Sequence, residues 1–167
     1  MTGSDTGGTA AGVTTTPAAP AAPANAVAYY DFSDGTLQNW TTPTGTLTPT
    51  TFNGKTAIHL VGTAAANAIQ PSSPIVLLGA GTYTISGDFY LIQPNPNGFT
   101  RLTTTSTSGG TTSNVTTFGS WQTASATFTV PAGQTASTRL TWQIINNQTN
   151  GTAMDGYLTN AKIIQIS

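Results

Sequence analysis

From Ala26 onward, apolar and polar residues alternate in short runs separated by turn residues, a period of two that predicts β-strands. AVAYYDF (26–32) is the first run, and Ser33-Asp34-Gly35 closes it. TLTPTTF (46–52) carries Pro49, which places that run at a sheet edge or in a loop. Asn53-Gly54 then predicts a tight hairpin into TAIHLV (56–61). SSPIVLL (72–78) leads through Gly79-Ala80-Gly81 into TYTISGDFYLIQ (82–93). In that strand Tyr83, Ile85, Gly87, Phe89 and Leu91 share one face, and Thr84, Ser86, Asp88, Tyr90 and Ile92 share the other.

Further runs follow at FTRLTTT (99–105), TTSNVTTF (111–118), SWQTASATFTV (120–130), STRLTWQII (137–145) and GYLTNAKIIQIS (156–167). Ala124, Ala126, Phe128 and Val130 point to one side, as do Leu140, Trp142 and Ile144, so both sets are expected in a core with Trp40. No window has sustained helical periodicity, and no repeat is visible. About nine to eleven short strands at this spacing predict an all-β fold, an antiparallel two-sheet β-sandwich of jelly-roll type.

Residues 1–27 lack this pattern. VTTTPAAPAAPANA is rich in Ala, Pro and Thr, with Thr14, Pro17, Pro20 and Pro23 favouring extended, polyproline-like backbone. The division expected is an extended arm or linker over 1–27 and one sandwich domain over 28–167.

Composition narrows the function. The chain has four Lys or Arg, five Asp, one His and no Cys, so only 5% of its residues are charged against about 25% in an ordinary domain. Most acid–base and metal chemistry needs those groups, so an enzyme is not expected. The scattered Lys55, Arg101, Arg139 and Lys162 form no basic run, which argues against nucleic acid and anionic lipid as partners. A net charge of −1 permits close packing of many copies. The first residues have neither a basic start nor an apolar stretch, so no signal peptide is expected, and no run is long enough to span a membrane as a helix.

Individual motifs are sparse. Asp31 and Asp34 flank a turn, where Asp commonly bonds nearby backbone. His59 lies in a strand with no nucleophile elbow anywhere in the chain, and reads as a strand residue with a local hydrogen bond. One His without Cys is too little for zinc. Calcium needs only oxygen ligands, and Asp34 and Asp155 are the best-placed carboxylates; an ion-free protein is the alternative.

Four segments in order resemble the carbohydrate-binding modules of families 4 and 9 and their jelly-roll relatives. They are YYDFSDGTLQNW (29–40), GTYTISGDFYL (81–91), SWQTASATFTVPAG (120–133) and GYLTNAKIIQI (156–166). The chain departs at Ser33, where an acidic residue is usual, and at Thr159-Asn160, where the family offers Asp. In the family those positions help hold a structural calcium. Apart from the resemblance, a glycan platform calls for aromatic rings on an open sheet face with polar donors beside them. Tyr90, Trp121, Arg101, Gln143 and Asn147 would form one if their strands are neighbours; otherwise Tyr90 belongs to the second face of a buried strand.

Two functions are therefore expected. The first is a non-catalytic structural or decoration protein of a surface assembly such as a phage virion. In it the arm (Thr14, Pro17, Pro20, Pro23) would hold neighbouring subunits, with a location on the virion surface or outside the cell. The alternative is a glycan-binding module for adhesion or receptor recognition, with a cell-surface glycan as partner.

Overall fold

β-Branched and aromatic residues in alternation build eleven strands and no helix among the residues described by the computed structural model, 21–63, 68–92, 98–105, 109–145 and 153–167. In chain order they are β1 (Ala26–Tyr30), β2 (Thr46–Phe52), β3 (Lys55–Val61), β4 (Ala68–Ile69), β5 (Val76–Leu78), β6 (Gly81–Leu91), β7 (Phe99–Thr104), β8 (Gln122–Val130), β9 (Ala136–Thr138), β10 (Leu140–Ile145) and β11 (Asp155–Gln165). The large sheet runs β2-β3-β11-β6-β8, with β1 paired to the far half of β11. A smaller sheet, β4-β10-β7, faces it, and β5-β9 form a separate ribbon. Every pairing of strands is antiparallel. The chain is thus the antiparallel β-sandwich that its alternation predicts.

The core fills the gap between the sheets. From the large sheet come Ile58, Leu60, Tyr83, Ile85, Phe89, Phe128, Leu158 and Ile163; from the small one, Leu102, Leu140, Trp142 and Ile144. Trp40 and Trp142 are 2% and 0% exposed, as expected of core residues. Gly87 is a point of tight packing beneath Leu102 of the small sheet. A Cβ there would lie 2.9 Å from Leu102 Cδ1 and 3.1 Å from Leu158 Cδ1, so only hydrogen fits without displacing them.

Local chemistry sets the strand ends. Asn53 (φ 47°) and Gly54 (φ 76°) both adopt positive φ in the β2–β3 hairpin, matching a type I′ turn. Pro49 sits in β2, an edge strand, where a missing N–H costs no ladder bond. Asp31 and Asp34 each accept a hydrogen bond from the backbone N–H two residues ahead, Ser33 and Thr36, as turn aspartates do.

Three features differ from the sequence pattern. Residues 111–118 form no continuous strand; Thr111, Val115 and Phe118 make isolated bridges to Thr103, Thr100 and Leu91. The run 137–145 breaks into β9 and β10, which join different sheets. The third is a β-bulge in β11: Thr159 pairs with Asp88 and Lys162 with Ser86, so two residues, Asn160 and Ala161, stand where one would fit. Strict alternation from Leu158 would bury Asn160. The bulge instead buries Ala161 and Ile163, and Asn160 (φ 50°) turns its amide to the outer face.

β1 begins at Ala26, inside the expected arm. Of the arm residues singled out, Pro23 is described and its carbonyl accepts a bond from Ala26 N–H. Thr14, Pro17 and Pro20 lie outside the described residues, as does Asn147.

Candidate functional site

The outer face of the large sheet carries a row of rings. His59 on β3 pairs with Tyr157 on β11, which pairs with Tyr90 on β6. Trp121, just ahead of β8, lies edge-on to Tyr90 at 5.6 Å between centroids. Phe52, at the end of β2, stacks on Tyr157 at 4.0 Å and 8° and meets Tyr90 edge-on at 4.9 Å. Five antiparallel strands in register thus bring together rings as far apart in sequence as Phe52 and Tyr157, 105 positions.

The rings are not equivalent. His59 stacks on Tyr157 at 4.4 Å and 13°, and Phe52 is also parallel to Tyr157. Two rings cannot lie parallel at these distances on one side, so Tyr157 is held between them, and it is only 7% exposed. His59 is fixed in turn by Asp155, whose Oδ1 is 2.6 Å from Nε2. Phe52, Tyr90 and Trp121 stay partly exposed and offer ring surface to solvent.

A polar group adjoins the rings one row along. Asp88 pairs with Thr159 on β11 and with Thr123 on β8. Its carboxylate accepts hydrogen bonds from Lys55 Nζ (2.8 Å), Thr123 Oγ1 (2.6 Å) and Asn160 Nδ2 (2.8 Å). Asn160 Oδ1 accepts from the Tyr29 hydroxyl at 3.2 Å. Burial pushes the Asp88 carboxyl up, but the bonds from Lys55, Thr123 and Asn160, with the Lys55 charge, together outweigh it and hold the group below the usual carboxylate range. Lys55 Nζ also lies 5.0 Å from the centre of the Trp121 ring, within cation–π reach.

The set of five expected from the sequence is divided by the sandwich. Tyr90 and Trp121 come together on the large sheet. Arg101 pairs with Gln143 on the small sheet, where Arg101 Nε donates to Gln143 Oε1 at 2.7 Å. They alternate with the core residues Leu102, Trp142 and Ile144, so their side chains point away from the opposite side of the sandwich. Tyr90 is partly exposed, whereas Ser86 and Asp88 on the same face of β6 are buried.

The two carboxylates expected to serve calcium are each hydrogen-bonded within the protein. Asp34 is exposed and committed to Thr36, whose N–H and hydroxyl both donate to Oδ1 at 2.9 Å; these bonds hold its carboxyl below the usual range. Asp155 is committed to His59. No group of three or more His, Cys, Asp or Glu suited to a metal ion occurs among the described residues.

Lys55, Phe52, His59, Asp88, Tyr157 and Asn160 complete this face and were not singled out from sequence as site residues. Asp88 had one signal, an ionisable residue in the middle of a strand. The others needed the strand order.

No family model matches the chain, and no curated protein matches its sequence. Solved structures do share the fold. The xylan-binding domain CBM22-2 of Paenibacillus barcinonensis Xyn10C aligns with a TM-score of 0.62 at 16% identity, over 84% of this chain and all of that one. The module TmCBM61, solved with β-1,4-galactotriose, aligns at 0.58 and 13% identity over 81% of this chain and 94% of that one. A family 4 carbohydrate-binding module aligns at 0.55 and 16% identity, over 81% and 99%. The fold is that of carbohydrate-binding-module β-sandwiches.

Proposed function

We propose that this protein is a non-catalytic glycan-binding module whose ligand lies on the outer face of the large sheet, across Phe52, Tyr90 and Trp121. The observation that carries the reading is the pairing of partly exposed rings with a fixed polar group, Lys55-Asp88-Asn160, one row away. A pyranose ring has apolar C–H faces and an equatorial rim of hydroxyls. Aromatic rings take the first by apolar contact, and preset donors and acceptors take the second. Lys55 and Asp88 neutralise one another, so the polar group presents no net charge and favours a neutral sugar chain. The solved relatives that bind xylan and β-1,4-galactotriose support the same class of ligand.

Affinity electrophoresis in gels holding soluble xylan, galactan or β-glucan, followed by calorimetry on oligosaccharides, tests this. Retardation by at least one neutral polysaccharide is expected, lost in Tyr90→Ala and Trp121→Ala with unchanged circular dichroism. Migration unaffected by every polysaccharide would sink the proposal.

A role as a structural subunit of a surface assembly, such as a virion, is compatible with the same face. The Ala/Pro/Thr-rich stretch ahead of β1 favours it, since such a segment can extend over a neighbour but cannot fold alone. Comparing the full chain with one beginning at Ala21 by sedimentation tests that role. Loss of large assemblies in the shorter chain supports it, and identical profiles count against it.

A further inference from the structure

The path of the large sheet ends in the edge strands β2 and β8, with the short β1 as a further edge beside β11, and β2 and β8 are built differently. β2 carries Pro49 in its middle, a residue that blunts an edge. β8, QTASATFTV, has nine residues with no charge and no proline, and its register with β6 is unbroken from Gly81↔Val130 to Phe89↔Gln122. Among the described residues, β8 pairs with no strand but β6. Alternate N–H and C=O groups along its other side are not used by β6, and an added strand can pair with each of them.

We propose that β8 is the contact edge for a second copy of this chain, paired antiparallel across a two-fold axis so that the two large sheets continue as one. The strand is complementary to itself. Centred on Ala126, the pairing sets Ser125 opposite Thr127 of the second copy, Thr123 opposite Thr129, Ala124 opposite Phe128 and Gln122 opposite Val130. Thr123, Ser125, Thr127 and Thr129 are exposed on the outer face, where hydroxyl-bearing pairs are favourable neighbours. On the inner face Ala124, Phe128 and Val130 are already buried in their own core, so the contact rests on the backbone ladder and the outer hydroxyls. No like charges oppose each other, and the chain's net charge of −1 adds little repulsion. Such an interface is isologous and closes at two copies. This goes beyond the glycan reading and does not depend on it.

Sedimentation velocity of the full chain from low micromolar to near-millimolar concentration tests it. The expected result is a concentration-dependent doubling of mass. Ser125→Lys/Thr127→Lys sets lysine opposite lysine and raises the dissociation constant at least about tenfold, the equivalent of 1.4 kcal/mol. Thr48→Lys on the β2 edge leaves it unchanged. The charge-swapped variant Ser125→Asp/Thr127→Asp, mixed with the lysine variant, restores a dimer because each introduced ammonium then faces an introduced carboxylate. A full chain that stays monomeric throughout, or a dimer indifferent to the double lysine change, overturns the proposal. So does dimerisation confined to a chain starting at Ala21, which would assign the β8 edge to residues 1–20; that shorter chain keeps every core residue.

Discussion

Lys55 Nζ lies 2.8 Å from Asp88 Oδ2, although 33 positions separate the two residues and each sits on a different strand of the large sheet. Asp88 is the less exposed partner, with 12% of its side chain accessible against 39% for Lys55. The carboxyl is held below its ordinary range, so its contribution to stability is fully present above the unfolded value of about 3.9 and is lost as pH falls through the folded one. Lys55→Met should therefore cost about 1 kcal/mol at neutral pH, and the difference from the parent should shrink once the pH drops below about 3.9. Urea unfolding followed by tryptophan fluorescence at neutral and acidic pH measures both. A cost that does not change with pH would show that the ammonium acts by packing alone.

Trp142 Nε1 donates to Thr100 Oγ1 at 2.6 Å inside the core, and the same hydroxyl donates to the carbonyl of Gln143. Thr100→Val keeps the shape but leaves a buried indole N–H and a carbonyl without this partner. A loss of about 1–3 kcal/mol is expected in denaturant titration, since an unmet buried donor cannot recover its bond to water. Glycan affinity should not change.

Tyr90 and Arg101 point to opposite sides of the sandwich. Tyr90→Ala should lower affinity for a neutral oligosaccharide at least about tenfold, the scale of losing a central aromatic contact, and Arg101→Ala should leave it unaltered. Parallel calorimetry on both variants reads the difference. Equal losses would move the ligand away from the large sheet.

Gly87 stands opposite the bulge and beneath Leu102 and Leu158. The atoms that a new Cβ would meet are the ends of leucine side chains, which can turn aside. Gly87→Ala should accordingly be mild and Gly87→Val should cost about 1–3 kcal/mol by overpacking, seen as a lower melting temperature with secondary structure retained.

Alternation made most of the sandwich legible. β6, β8 and β10 have their inward faces where the pattern puts them, because one buried face imposes a period of two. The Asn53-Gly54 hairpin was equally readable, since its backbone demands those residue types. Residues 111–118 had the composition of a strand without its ladder, for β-propensity describes fitness for a pleated surface rather than the presence of a partner. The candidate face was only half legible: Tyr90 and Trp121 stood out as rings, whereas Arg101 and Gln143 were grouped with them on the assumption that their strands are adjacent.

Local preferences in the chain determined that it forms strands, where most of them turn, which residues are buried and that little acid–base chemistry is available to it. Strand order decided the rest. Which outward residue meets which depends on register across β2, β3, β11, β6 and β8, and on the bulge that turns Asn160 toward Asp88. Those pairings join residues far apart in sequence, held by backbone bonds whose donors and acceptors are the same in every residue, so no short segment encodes them.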